Sequence, residues 1–239
     1  MAVELLGVAG LPEIRPGDDL AALILAAARL DAGSIVAVAQ KIVSKAEGAV
    51  VDLRSVEPSA RAAGWARRWK KDPRLIELVL RESRRIVKME RGVIISQTLH
   101  GFVTANAGVD WSNTGGEHLA TILPRDPDAS ARRLKQTLGC GAVIITDTFG
   151  RPWRQGLVNV AIGVAGLEPL EDLRGQRDRN GRPLQSTLLA VADELAAAAG
   201  LIMRKTAGAP VVVIRGWDWK PAEGSAGALI RPPDQDLFR

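Results

Sequence analysis

One cysteine, two histidines and no tyrosine occur among the 239 residues. The lone Cys140 excludes an internal disulfide framework and a paired-cysteine zinc site. His100 and His118 by themselves argue against a multi-histidine metal centre. With three phenylalanines and scattered tryptophans, there is no stacking platform for single-stranded nucleic acid. The longest helical apolar stretch, 188–203, is interrupted by Asp193 and Glu194, so no membrane span is expected. The first nineteen residues lack a basic segment followed by an apolar core, so no signal peptide is expected either. Phosphate-cradling GxxxxGK[ST], dinucleotide GxGxxG, GxSxG and HExxH are all absent. There is no internal repeat and no low-complexity tract.

What is present is ordinary for a globular, cytoplasmic protein: 46% hydrophobic and 25% charged residues. A chain of this length forms one large domain or two small ones, with a core that needs no staples. The net charge of +5 is a modest excess that favours anionic partners in general. Strands are expected at 3–8, 34–43, twice within 92–106, at 141–147, 157–167 and 210–216. Helices are expected at 20–30, 58–71, 73–87, 126–138 and 184–200. The basic residues of the second and third helices read mainly as a solvated face, with a phosphate-binding groove as the other reading. Strands and helices interleave without a regular βαβ rhythm, which points to an α+β fold or a mixed sheet.

The chemistry-bearing pattern is carboxylates near strand ends. Asp147 closes an apolar strand, and Asp110 follows another, with Asn113 three residues on. Two aspartates brought together repel unless a cation neutralises them, and oxygen ligands suit Mg²⁺ or Mn²⁺. Aspartates in such places also serve as turn formers or helix caps. Lys45 is placed like a phosphate-facing cation or like a turn lysine. Arg151 and Arg154 flank Trp153 and could hold an anion bidentately or pair with surface acids. The segment 205–210, KTAGAP, offers backbone N–H groups to a phosphate or is a plain connection.

Seven segments together resemble the F420-0:gamma-glutamyl ligase family. They are GLPEIRPGDDL, VAQKIVSKAEG, KDPRLIELVLRES, HGFVTANAGVDWSN, VIITDTFGRPWRQG, VAIGVAG and ADELAAAAGLIMRKTAGAPVVVIRG, in the family's order and across nearly the whole chain. The resemblance implies a GTP-dependent ligase that joins L-glutamate to the phospholactyl end of the deazaflavin precursor F420-0 and then adds gamma-linked glutamates. It implies two divalent ions, Mg²⁺ or Mn²⁺, per subunit, help from K⁺, and an intertwined homodimer. It also implies one α+β ligase domain over 1–239, built of two closely packed subdomains.

Carried over by position, the GTP contacts fall on Leu11, Pro12, Glu13, Ile14, Gln40, Lys45 and Asn113. They continue on Met203, Arg204, Lys205, Thr206, Ala207, Gly208, Ala209 and Pro210. The metal ligands fall on Asp110, Asp147 and Thr148, and the catalytic groups are Lys45, Asp110 and Asp147. Arg204 departs from the family pattern, where a small residue, usually glycine, is expected. Some relatives carry a nitroreductase-like second domain, which is not expected here. His100 is a candidate general base for the glutamate amine. The arginines between 174 and 182 either meet an acidic tail or are solvated. A metal-dependent nucleotide phosphohydrolase using the same carboxylates is the alternative reading; a nucleic-acid or membrane partner is not expected.

Overall fold

The computed structural model describes residues 2–112, 116–204 and 207–237. The chain opens with strand β1 (Glu4–Val8), helix α1 (Leu20–Ala27), strand β2 (Ile35–Ala39) and helix α2 (Gln40–Ala46). A middle region holds β3 (Val50–Asp52), α3 (Ala60–Trp69), α4 (Pro73–Arg81), β4 (Ser83–Glu90), β5 (Val93–Thr98), β6 (Val103–Ala105) and β7 (Leu119–Thr121). It continues with α5 (Pro127–Leu138), the long hairpin β8 (Ala142–Arg151) and β9 (Arg154–Ala165), and the short β10 (Glu171–Asp172) and β11 (Leu188–Leu189). Helix α6 (Val191–Met203) and strand β12 (Val211–Arg215) complete the elements.

The central sheet has five strands in the order β1-β12-β2-β8-β9. Only β2 and β8 run parallel; the other neighbours are antiparallel. The α+β expectation with a mixed sheet therefore holds. Both faces of β2 are buried, which is why Ile35–Val38 reads as an unbroken apolar run rather than an alternating one. Val36 and Val38 pack with Val143, Ile145, Ile24 of α1 and Leu134 of α5. Ile35 and Ala37 face the other way, toward Ile144, Ile214 and Ala196 of α6. A third cluster joins Leu53, Ala62, Ile76, Val79 and Ile94 within the middle region. Burying each such Ile, Leu or Val stabilises the fold by about 1.5–3 kcal/mol.

Several boundaries differ from the sequence expectation. The strand expected over 34–43 ends at Ala39, and helix α2 begins at the next residue. There the pattern changes from period two to helical spacing: Gln40 accepts from the hydroxyl of Ser44 one turn on, at 2.9 Å. The helix expected over 73–87 stops at Arg81, because its apolar stripe ends at Leu80 and the hydroxyl of Ser83 donates back to Val79 O at 2.5 Å. The following residues pair as β4 with β5. Helix α1 ends at Ala27, where Ala28 turns extended. Helix α6 begins at Val191, since the preceding Leu188–Leu189 pairs with β10.

Helix α5 locks this arrangement. Its end is set by Gly139, whose φ of 64° is a left-handed cap that a side chain would strain. Its first turn lies so close to β9 that a Cβ on Gly163 would stand 2.4 Å from Pro127 O. One residue later, Asp128 accepts from Val164 N at 2.8 Å, Ala226 N at 2.9 Å and the Ser225 hydroxyl at 2.6 Å. A single carboxylate thus ties helix, sheet and the 226–229 turn together. Asp128→Ala strands three donors at once and is expected to destabilise the fold by about 3 kcal/mol. For a chain of this size that corresponds to a melting temperature lower by roughly 6–12 °C. A thermal melt checks it, and an unchanged midpoint would show the junction to be dispensable.

Candidate functional site

Strand directions bring the candidate residues to one end of the central sheet. Strand β2 ends at Ala39, whose amide donates to Pro210 O at 2.8 Å, so the segment leading into β12 lies against the start of α2. Val211 pairs with Val8 on one side and Val38 on the other, which places residues 9–14 at the same end. Ala39 also pairs with Thr146, so Asp147 is the first residue of β8 past the parallel partner. Sites in sheets of this kind form outside the carboxyl ends of parallel strands, where the connections diverge.

The sequence places Asp147 at the end of its strand, but the structure places it within one. The antiparallel ladder with β9 runs on through Asp147↔Val160, Thr148↔Asn159 and Gly150↔Leu157. The expectation missed this because the apolar run ends at Ile145, while backbone pairing does not depend on apolar side chains. Asp147 still sits at the mouth, because β2 has turned into helix beside it. Thr148 Oγ1 donates to Asn159 Oδ1 at 3.1 Å, and Asn159 Nδ2 lies 3.5 Å from Met203 Sδ. Arg151 and Arg154 are exposed at the hairpin tip.

Lys45 is the most enclosed charge here. Its side chain is 8% exposed, yet its Nζ lies 2.5 Å from Oε1 of Glu13, which is 65% exposed. A buried ammonium is tolerated only with such partners. Gln40, five residues earlier on the same helix, is buried, and Ile14 is buried beside the loop, whereas Pro12 is exposed and Leu11 half-buried. Met203 is buried under the hydroxyl of Thr146, 3.7 Å away, so it shapes the floor rather than the surface of the site.

Beyond Met203 the helix ends at Arg204, with φ 37° and ψ 167°. Positive φ is the conformation that favours glycine, so the residue that departs from the family pattern carries backbone strain of about 1–3 kcal/mol. Ala207 and Gly208 are exposed, Ala209 and Pro210 half-buried. Asn113, Lys205 and Thr206, expected to contact nucleotide, lie outside the described residues.

Asp110 enters from the middle region. Its backbone bridges to Thr121, Asp110 N donating to Thr121 O at 3.0 Å and Thr121 N to Asp110 O at 2.7 Å. Its carboxylate accepts from Ser112 N at 2.7 Å and lies 2.7 Å from the ammonium of Lys41, the second residue of α2. Burial pushes the Asp110 carboxyl up, but Lys41 and Ser112 outweigh it and hold the carboxyl below its ordinary range. Lys41 is a residue the sequence reasoning passed over. The signal for it is spacing: a lysine four residues before Lys45 puts both ammonium groups on adjacent turns of one helix.

His100 is turned elsewhere. Its Nε2 lies 2.9 Å from Pro124 O and 3.2 Å from Arg125 O, which makes that nitrogen the donor, and its ring stacks on Phe102. The expected role as a base gains no support from this placement.

Among the described residues, no three His, Cys, Asp or Glu side chains converge on a point that could hold a metal ion. Asp110, Asp147 and Thr148 supply hard oxygen donors. Mg²⁺ is commonly held by one or two carboxylates, with phosphates and water completing the shell. The donor set therefore fits a Mg²⁺ or Mn²⁺ ion that arrives with a phosphorylated substrate.

The F420-0:gamma-glutamyl ligase family model matches residues 9–216. The coenzyme F420:L-glutamate ligase of Methanothermobacter thermautotrophicus is 48% identical, with the whole of both chains covered. That of Methanopyrus kandleri is 47% identical over 95% of this chain and 94% of its own. That of Natronomonas pharaonis is 45% identical over 99% and 95%. With a match that takes in the first loop, both aspartates and the segment before β12, this chain belongs to the F420-0:gamma-glutamyl ligase family.

Proposed function

We propose that the chain uses GTP to join L-glutamate to the carboxylate end of the deazaflavin precursor F420-0, and then extends it through gamma linkages. The observation that carries this reading is the meeting, at one end of the sheet, of residues 9–14, the first turns of α2, Asp147 and the segment before β12. The names of the relatives support the choice of acceptor and amino acid.

A carboxylate and an amine do not condense in water without activation. In the proposed reaction a carboxylate oxygen of the acceptor attacks the γ-phosphorus of GTP. The bond to the bridging oxygen breaks and GDP leaves with its electrons. The amine of glutamate then attacks the acyl carbon, inorganic phosphate leaves, and the amine loses a proton. Transfer of this kind is mostly positioning and charge stabilisation, so a site without a nucleophilic side chain suits it.

Lys45 faces the nucleotide phosphates in exchange for the Glu13 side chain, whose exposed carboxylate can swing into solvent, so that the expected contact of Glu13 with nucleotide falls to its backbone. Gln40 and the 207–210 backbone line the nucleotide, and Thr148 is oriented by Asn159. Asp110, Asp147 and Thr148 would hold Mg²⁺ or Mn²⁺, which when bound screens the negative charges that must approach one another. K⁺ and a homodimer are further parts of the proposal.

Mass spectrometry of products from F420-0, L-glutamate, GTP and Mn²⁺ tests it. The expected product is heavier by one glutamate residue, with GDP formed only when both acceptor and amino acid are present. GTP loss without acceptor, and no heavier product, would reject ligation in favour of plain hydrolysis.

A further inference from the structure

A cavity opens beside the site and takes in none of the residues expected to contact nucleotide. Its volume is about 250 Å³, and its lining includes Phe102, Val103, Phe149, Val160, Asp193 and Arg231. Phe149 lies two residues beyond Asp147 on the same strand, and Val160 is the cross-strand partner of Asp147. The cavity is therefore contiguous, through one strand pair, with the carboxylate that the proposed reaction uses. Phe102 and Phe149 stand edge to face, 6.4 Å between ring centres and 69° apart. Asp193 reaches in from the first turn of α6 and is fixed there by Ala161 N, which donates to its Oδ1 at 2.8 Å. On the far side, Ile230 closes over the turn at Gly101, and a Cβ on that glycine would be 3.1 Å from its Cδ1. Arg231 follows, exposed at the rim.

We infer that this cavity holds the deazaflavin ring of the acceptor, with Arg231 at the rim meeting the anionic chain that leads from ring to carboxylate. The assignment deepens the ligation reading and rests on it. A mostly apolar pocket with a few converging polar groups is how proteins bind flat heterocycles. The volume suits a ring system rather than a whole nucleotide or a whole acceptor. Two aromatic walls favour a π-surface. The Asp193 carboxylate accepts hydrogen bonds, and the deazaflavin ring carries an N–H and a hydroxyl that donate them. Free glutamate fits this lining poorly: it brings two carboxylates to a mostly apolar cavity that also presents Asp193. With the ring seated against Phe149, the chain beyond it runs along β8 toward Asp147, where activation takes place in the proposed reaction.

Val103 is 46% exposed on its strand, so Val103→Trp fills the mouth without opening the core. Two probes are titrated by deazaflavin fluorescence: F420-0, and the deazaflavin riboside, which has the ring and ribityl chain but no phospholactyl group. Val103→Trp is expected to weaken both by about tenfold or more, a loss typical of one misplaced apolar group. It should raise the KM for F420-0 in ligation and leave the KM for GTP unchanged. Arg231→Ala is expected to weaken F420-0 several-fold and leave the riboside unchanged. Wild-type protein that ligates, paired with a Val103→Trp variant of unaltered riboside affinity, overturns the pocket alone. Wild-type protein that makes no ligated product overturns the ligation reading, and the pocket assignment falls with it.

Discussion

Asp110→Asn is expected to lower ligation by about 10³-fold, the scale seen when one charge-stabilising group is removed from a reacting centre, while the melting temperature stays close to that of the parent. The amide has the shape of the carboxylate, so Ser112 N keeps an oxygen acceptor. The bridge to Thr121 is made by backbone atoms and does not depend on the side chain. Lys41 loses its ionic partner but retains Ser112 O at 2.9 Å and the Ser112 hydroxyl at 3.0 Å. What disappears is the negative charge on the oxygen that would hold a divalent ion. Asp147→Asn is expected to behave the same way. Product formation at saturating Mg²⁺, read beside a thermal melt, separates loss of chemistry from loss of fold. Near-parental turnover at saturating Mg²⁺ would remove Asp110 from the site.

The charge on Asp110 also explains the resting arrangement. Lys41 sits where a cation belongs, and Glu13 sits on Lys45 where an anion belongs. Asp110 and Lys45, two of the groups that the proposed substrates would use, are thus each paired with an opposite charge from within the chain. In the proposed reaction a divalent ion at Asp110 would take the place of an ammonium, and a phosphate at Lys45 that of a carboxylate. On that reading the site would exchange ion pairs instead of exposing bare charges, and the resting pair with Glu13 limits the cost of keeping Lys45 buried.

The inner strands of the central sheet were legible in the sequence because β2 and β12 are buried on both faces and need no alternation to be seen. Val211–Arg215 and Ile35–Ala39 follow the expected starts within one residue. The ends were less legible for a physical reason. Helix α2 starts with no polar cap: its N-cap is Ala39, which makes no side-chain hydrogen bond, so nothing local announces the change. Hairpin β8–β9 continues through polar residues whose pairing is carried by backbone groups alone, and hydrophobic patterning is blind to that.

The two aspartates were found by their places near strand ends. The pairing of Asp110 with Lys41 was not, being a contact 69 positions apart that no local pattern encodes. The strain at Arg204 was signalled in reverse: a glycine expected from resemblance and not found marks a residue held at positive φ.

Lys45→Met carries the other large effect, and its two readouts are expected to part. Methionine is unbranched like lysine and one heavy atom shorter, so it fills most of the same space without charge. A buried ammonium is costly to keep, and Glu13, one of the groups it meets, is two-thirds solvent-exposed, so that carboxylate loses little when the lysine goes. The melting temperature is therefore expected to hold or rise. Nucleotide binding is expected to suffer instead, because a charge-assisted contact to phosphate in an enclosed setting is worth far more than one in water, and removing it costs about 100-fold in affinity. The KM for GTP should rise by that order while the KM for glutamate changes little. Glu13→Gln supplies the opposing arm: it weakens the internal competitor for Lys45, so GTP should bind as well as or better than to the parent. A Lys45→Met protein with lower stability and unchanged GTP affinity would make this lysine a structural one. A variant that gains stability and loses nucleotide fixes the reason a lysine is kept at a position where packing alone would favour an apolar side chain.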